Sequence, residues 1–306
     1  MNEQAVDEAV AAVETKLAEI VRSDVQVLDE ASLHIIGAGG KRMRPRLVFW
    51  SYLIGGGDDL LSAVPLAASV ELLHTATLVH DDINDESYLR RGRPSVHSLW
   101  GNTFGLLTGD YLFSKVYQLV APYGPAYNTI MATTAIELIE GEALQALAAK
   151  EGEMDSKTYK KVIRGKTASL FEAAARMGAM WGGGEEETVA AVSVYGAELG
   201  LAFQIVDDIL DLVGDAETLG KPVGLDTSQS KGVGMTLAEG EGEAEVEMDP
   251  VQKMRADLLA SGAVEVARLQ ARERARKARE ALAEVPASYA KGELLSLIEQ
   301  VLERDK

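Results

Sequence analysis

Two long apolar runs in this chain, about residues 65–86 and 187–213, carry the same acidic pattern at their ends: Asp81-Asp82-Ile83-Asn84-Asp85 and Asp207-Asp208-Ile209-Leu210-Asp211. Runs of that length with apolar residues at spacings of three and four read as helices. Largely apolar ones must be central in the fold. Residues three and four apart share a helix face, so Asp81 and Asp85 point the same way, and Asp207, Asp208 and Asp211 form a matching cluster. Like charges so placed repel, and a buried helix that ends in them loses stability unless a cation sits there. A solvated acidic helix end accounts for one such cluster, but poorly for two that both follow apolar sequence. Carboxylate-only clusters suit hard, oxygen-seeking ions, and magnesium is the usual one when phosphate is the substrate. Two facing clusters can hold several magnesium ions around one diphosphate.

The rest of the chain agrees with a helical protein. Val6, Val10, Val13, Leu17 and Ile20 mark a helix over 5–22, and further runs fall at about 25–36, 44–54, 102–120, 127–149, 156–180, 250–262, 263–284 and 291–304. Gly and Pro separate the runs, as at Gly37-Ala38-Gly39-Gly40, Gly55-Gly56-Gly57, Gly182-Gly183-Gly184 and Lys221-Pro222-Val223-Gly224. Pro65 suits a first helical turn, where its missing N–H does no harm. No alternating pattern predicts a strand. The expected fold is all-α, a single domain over 1–306 forming a helical bundle around a central cavity. Residues 239–249, with an acid at every second position, read as a solvated, mobile loop.

Bulk properties narrow the function. The chain has no Cys, which excludes disulfides, thiolate metal sites and Cys nucleophiles. A net charge of -18 argues against nucleic-acid binding through a broad basic surface. Met1-Asn2-Glu3-Gln4 lacks the basic and apolar regions of a signal peptide, and no uninterrupted apolar stretch reaches membrane-spanning length. The expectation is a soluble, cytoplasmic protein with no stable membrane anchor.

In so acidic a chain, tight groups of cations are informative. They are Gly40-Lys41-Arg42-Met43-Arg44, Arg90-Arg91-Gly92-Arg93, Arg164-Gly165-Lys166-Thr167 and Gly220-Lys221-Pro222, with Lys231 further on. Each alone also reads as a charged helix start or a salt-bridged loop. Together they suggest a second anion site, where Lys supplies a point charge and Arg a planar fork for phosphate oxygens, while Gly lets a ligand approach the backbone. A nucleotide loop of the Gly-rich Lys-Ser/Thr kind is excluded, since no strand leads into one.

At this point the sequence resembles the trans-isoprenyl diphosphate synthases of the polyprenyl type, over nearly its whole length. The resemblance rests on Gly40-Lys41-Arg42-Met43-Arg44-Pro45, on Glu71 through Asp82, on Arg90-Arg91-Gly92, Gly109-Asp110-Tyr111 and Lys166-Thr167, and on Phe203-Gln204-Ile205-Val206-Asp207-Asp208, in that order. It implies an all-helical homodimer. It also implies an allylic diphosphate held through magnesium between Asp81, Asp82, Asp85 and Asp207, Asp208, Asp211, with three ions per site and manganese able to substitute. Isopentenyl diphosphate would lie against Gly40, Lys41, Arg44, His74 and Arg91. Arg90, Lys166 and Lys221 would contact the allylic diphosphate, with Lys231 as a further basic residue of uncertain register. Thr167 and Gln204 would line the place where the allylic cation forms. His74, seven residues before Asp81, falls on nearly the same helix face; His80 and His97 read as satisfied core histidines.

Product length is the open variable. Growth is expected down a tunnel beside the helix of Asp81, with Ala76 and Thr77 roughly 6–8 Å below that carboxylate and Leu73 and Ser69 further down. Ala76, Thr77 and Ser69 are small, so the tunnel reads as open and the product as longer than twenty carbons; small residues also serve simply to let helices pack closely. Trp100, Phe104 and Phe113 are candidate plugs. Farnesyl or geranylgeranyl diphosphate synthesis, a terpene cyclase or head-to-head synthase, and a non-catalytic regulatory subunit are the competing readings. The intact Lys41, Arg44 and Arg91 group and the complete acidic triads count against the last two.

Overall fold

The computed structural model describes residues 3–213 and 262–304. In chain order the helices are α1 (Glu3–Ile20), α2 (Gln26–Ile36), α3 (Met43–Ile54), α4 (Leu60–Asn84), α5 (Val96–Val120), α6 (Pro125–Glu151), α7 (Ser156–Ile163), α8 (Ser169–Trp181), α9 (Glu186–Val213), α10 (Ala263–Ala281) and α11 (Tyr289–Leu302). A 3-10 turn, Ala121–Tyr123, joins α5 to α6, and a π-helical turn, Arg164–Ala168, joins α7 to α8. Lys221, Lys231, the acidic segment 239–249 and the helix expected over 250–262 lie outside the described residues.

The two apolar runs do become central helices. α4 packs against α1, α3, α5 and α8, and α9 against α8, α10 and α11. By length and composition α4 and α9 pass as membrane spans, with mean hydropathies of 1.3 and 1.6, although Glu71 and Glu198 interrupt their apolar sequence. Their apolar windows are instead 72% and 56% buried within the bundle. Asp59 caps α4, accepting a hydrogen bond from the Leu61 N–H at 3.1 Å. The helix therefore begins five residues earlier than expected, and Pro65 lies inside it, past the first turn, where its missing N–H removes the bond to the Leu61 carbonyl. One continuous core runs through the described helices, with Trp50, Phe49, Tyr195, Phe171, Leu72 and Leu112 among its largest fully buried side chains. Each such side chain contributes about 1.5–3 kcal/mol by leaving water.

Two local features depart from the expectation. Helix α5 begins at Val96 rather than 102, and Gly101 interrupts it with φ 82° and ψ 162°. A small antiparallel hairpin also forms, β1 (Leu89–Arg90) with β2 (Arg93–Pro94), Arg90 facing Arg93. Its two-residue turn, Arg91-Gly92, has φ 52° and 73°, the double positive φ that tight hairpins need. The local signal was a lone Gly among arginines, too weak to read as a turn.

Candidate active site

A cavity of about 1150 Å³ opens where the hairpin, the α2–α3 loop, the π-helical turn and the helices α4, α5, α6, α8 and α9 meet. On α4 its wall is built by His74, Thr77, Leu78, Asp81 and Asp85, the three-and-four spacing of one helix face. On α9 it is built by Phe203, Gln204, Asp207 and Asp211. Gly40, Lys41, Arg44, Arg90, Arg91, Lys166 and Thr167 complete the predicted set that lines it.

The six predicted metal-binding carboxylates divide into two kinds. Asp81, Asp85, Asp207 and Asp211 face the cavity, whereas Asp82 and Asp208 are not part of its lining. Asp82 is 1% exposed and accepts from Arg90, whose Nε lies 2.8 Å away. Asp208 accepts from the Tyr159 hydroxyl at 2.5 Å and the Gln204 amide at 2.8 Å. A turn of about 100° per residue explains the split, because adjacent aspartates cannot share a face. Arg90 is therefore turned toward Asp82 as well as bordering the cavity.

Charge is unevenly compensated. Burial pushes the Asp81 carboxyl up to about 7; Lys166 opposes the rise, while Glu142 and Asp85 add to it. Lys166 lies 2.6 Å from Glu142 and donates to Gln145 at 3.3 Å. Burial works against its ammonium, but Asp81 and Glu142 outweigh that and hold its pKa above the usual lysine range. Among the described residues, no three acidic or imidazole side chains converge into a metal site by themselves. Magnesium does not require it, since it is commonly held by one or two carboxylates plus water and phosphate oxygens. The all-oxygen donor set and the desolvated Asp81 fit such an ion, which would relieve the crowding of acids.

The same cavity is also lined by a crowd of cations. The α2–α3 loop is fixed by Arg42, which adopts φ 48° and ψ 36° and buries its guanidinium between Glu71, 2.6 Å away, and Glu14. That leaves Lys41 and Arg44, on either side of it, directed at the cavity. A Cβ on Gly40 would lie 2.7 Å from the Arg91 guanidinium, so only glycine permits this approach. Burial, helped by Arg91, lowers the pKa of Arg44 to about 10 despite the favourable Glu71. Arg44 also stacks over Phe171, 4.8 Å from the ring centre. Lys41 is lowered by burial and by Arg304, and Arg91 by burial and its arginine neighbours. His74 is held well below its ordinary value by burial and by Arg44, Arg91 and Arg90, so its ring is neutral at pH 7. Desolvated cations that depress one another make a site for an anion.

Of the predicted tunnel residues, only Thr77 reaches the cavity. Ser69, Leu73 and Ala76 are at most 1% exposed and pack into the helical core, outside its lining. The reason is rotational: Thr77 sits about 40° round the helix from Asp81, Ala76 about 140°. Phe113 lines the cavity, stacked on His80 with rings inclined by 14°; Trp100 packs edge-on against His34, and Phe104 is 39% exposed. His80 is thus a wall residue rather than a core histidine, while His97 is tied to Ser95 at 3.0 Å. Sequence reasoning missed Arg304, which reaches Asp207 at 3.4 Å, and Tyr159 and Glu142. Arg304 lies far from Asp207 in sequence, and no local spacing announces it.

The polyprenyl synthetase family profile matches residues 25–245. The chain is 37% identical over 297 residues to the short chain isoprenyl diphosphate synthase of Methanothermobacter thermautotrophicus, covering 92% of this chain and 91% of that one. It is 41% identical over 220 residues to heptaprenyl diphosphate synthase component 2 of Geobacillus stearothermophilus, covering 72% and 68% of the two chains. The crystal structure of polyprenyl synthase from Caulobacter crescentus, complexed with calcium and isoprenyl diphosphate, superposes with a TM-score of 0.89 at 33% identity, over 99% of this chain and 97% of that one.

Proposed function

The chain belongs to the polyprenyl synthetase family and is a prenyltransferase, and on that premise we propose that it extends an allylic diphosphate with isopentenyl diphosphate, head to tail and all-trans, to products longer than twenty carbons. The observation that carries the reading is one cavity lined both by the desolvated Asp81 with its acidic neighbours and by desolvated cations that depress one another. Magnesium, held by Asp81, Asp85, Asp207 and Asp211, would supply charge against the departing diphosphate. Lys166 adds its cation from the protein side. The allylic carbon–oxygen bond breaks with its electron pair leaving on the diphosphate. Lys41, Arg44 and Arg91, with neutral His74, hold the second diphosphate so that its double bond faces the cation beside Thr167 and Gln204. A carbon–carbon bond forms, a proton is lost to restore a double bond, and the released diphosphate takes that proton. The apolar wall formed by Leu78, Phe113 and Leu138 keeps water from the cation.

Product length is supported by the small wall residues Thr77, Ala143 and Ala146. The relatives' names range from short chain to nonaprenyl and do not choose for this chain. A homodimer is supported by Leu99, Phe104 and Leu107 on α5 and Ile136, Ile139 and Leu147 on α6, all 39–57% exposed. Incubation of the purified protein with magnesium, labelled isopentenyl diphosphate and farnesyl diphosphate, with products sized after dephosphorylation, tests the reading. Products beyond twenty carbons support it in full. A stop at fifteen or twenty keeps the synthase and removes the length proposal, and no incorporation with any allylic primer removes both. Thr77→Phe should shorten the product, whereas Ala76→Phe should overpack the core and cost about 1–3 kcal/mol of stability instead.

A further inference from the structure

One hydrogen-bonded chain runs from behind the cavity wall to Gln204 and Thr167, and its outer members, Tyr159 and Asp208, have no part in the steps described above. The Tyr159 hydroxyl, on α7, donates to Asp208 Oδ2 at 2.5 Å. Asp208 Oδ1 accepts from Gln204 Nε2 at 2.8 Å, one helical turn back on α9. Gln204 Oε1 in turn accepts from the Thr167 hydroxyl at 2.6 Å. Gln204 and Thr167 line the cavity, while Tyr159 and Asp208 lie behind them. Direction matters in this chain. An ionised carboxylate only accepts, so Asp208 compels Gln204 to present its N–H₂ side, and the amide oxygen must point the other way. The hydroxyl of Thr167 donates into that oxygen, which leaves the lone pairs of Thr167 and the second lone pair of Gln204 for the cavity. The result is a wall of oxygen acceptors, suited to a cation that has no hydrogen-bond donor to offer.

We infer that Tyr159 is a positioning residue: by anchoring Asp208 it fixes the Gln204 amide with its oxygen toward the developing allylic cation. The inference rests on the prenyl-transfer reading. Without the Tyr159 hydroxyl, Asp208 loses the anchor on its Oδ2, and its hold on the orientation of the Gln204 amide weakens. The consequence falls on the charged transition state and not on binding of either diphosphate.

The test is Tyr159→Phe, which removes a single hydroxyl. Steady-state constants for both substrates would be measured alongside calorimetric affinities for two inert allylic analogues. One carries a sulfur bridge in place of the breaking bond, and the other an ammonium in place of the cationic carbon. The expected result is a kcat lower by about tenfold, the worth of one charge-assisted hydrogen bond. Both KM values should stay within about twofold, and affinity for the ammonium analogue alone should fall by a like factor. Adding Tyr159→Phe to Gln204→Leu should cost nothing more. Unchanged kcat and ammonium affinity would overturn the inference, as would equal weakening of both analogues with a lowered melting temperature. Should the Phe variant not fold, Asp208→Asn removes the obligate acceptor from the same chain and must show the same selective loss; wild-type selectivity there overturns the inference too. A wild-type protein inactive with every primer overturns the parent reading and this inference with it.

Discussion

The two acidic clusters share a sequence pattern and differ in almost everything around them. On α4, Asp82 is buried and bound to Arg90, while Asp81 faces Lys166, Glu142 and Asp85 in a desolvated corner. On α9, the protein's own side chains occupy the carboxylates: Arg304 reaches Asp207, and Tyr159 with Gln204 holds Asp208. In the first cluster the cavity-facing Asp81 is desolvated and its pKa raised, whereas in the second the cavity-facing Asp207 is reached by Arg304. A repeated motif fixes residue types and spacing, but the helices packed against each copy decide which member is a ligand, which is a strut and how strongly each holds a proton.

The largest effect expected from this contrast is on turnover. Asp81→Asn should lower kcat by on the order of a hundred- to a thousandfold, because it removes charge from the more desolvated cluster; Asp208→Asn should cost far less. Comparable losses at the two positions would erase the distinction. Next comes stability. Arg90→Leu leaves Asp82 charged and buried without this partner and should cost about 3 kcal/mol in urea unfolding. Combining it with Asp82→Asn should recover much of that loss. Asp81 is one source of the pH dependence of the metal-free protein: its folded pKa of about 7 exceeds the ordinary aspartate value of 3.8, while His74, held below its ordinary value, acts in the opposite sense. Between those values the folded chain holds a proton that the unfolded chain releases, so this group's contribution declines as pH rises through the window and is flat above it. Melting temperature without metal should therefore fall from pH 5 to 7.5 by more in the wild type than in Asp81→Asn. Magnesium affinity at the same site should rise by about tenfold per pH unit below 7. The smallest effect is on the α9 side, where Arg304→Ala should cost about 1 kcal/mol of stability because Asp207 is 36% exposed. Its clearer sign should be a rise in the pKa of Lys41, since Arg304 helps to depress it.

Much of the fold was legible because period and punctuation agree along the chain: the expected runs over 25–36, 44–54 and 187–213 lie within a residue or so of α2, α3 and α9. The membership of the cavity was legible for the same reason that the motifs are compact, and the residues from Gly40 to Arg44, Arg90-Arg91 and Lys166-Thr167 do converge on it. Orientation within a motif was not. Asp81 and Asp82 are interchangeable as letters, and only Arg90, placed by the turn at Arg91-Gly92, distinguishes them. Ala76, Leu73 and Ser69 fall outside the cavity lining because steps of five, eight and twelve residues from Asp81 turn about 140°, 80° and 120° away from it, against about 40° for Thr77. Contacts between distant segments, such as Arg304 with Asp207 or Tyr159 with Asp208, leave no periodic trace.

The π-helical turn at Arg164–Ala168 gives the chain an unusual weakness to insertion and deletion. It packs on α6 through two glycines, where a Cβ on Gly165 would lie 2.6 Å from the Glu137 carbonyl oxygen and one on Gly141 would lie 2.7 Å from the Lys166 nitrogen. Such a turn acts as a phase shifter, since its wider hydrogen-bond ring accommodates a residue that an α-helical ladder would not. Losing one residue there would heal the ladder while rotating α7 against α8 by about 100°. Lys166 and Thr167 would then leave the cavity wall or α8 would leave the core. The most regular version of this helix is thus one in which the catalytic cation and the core cannot both be kept in register.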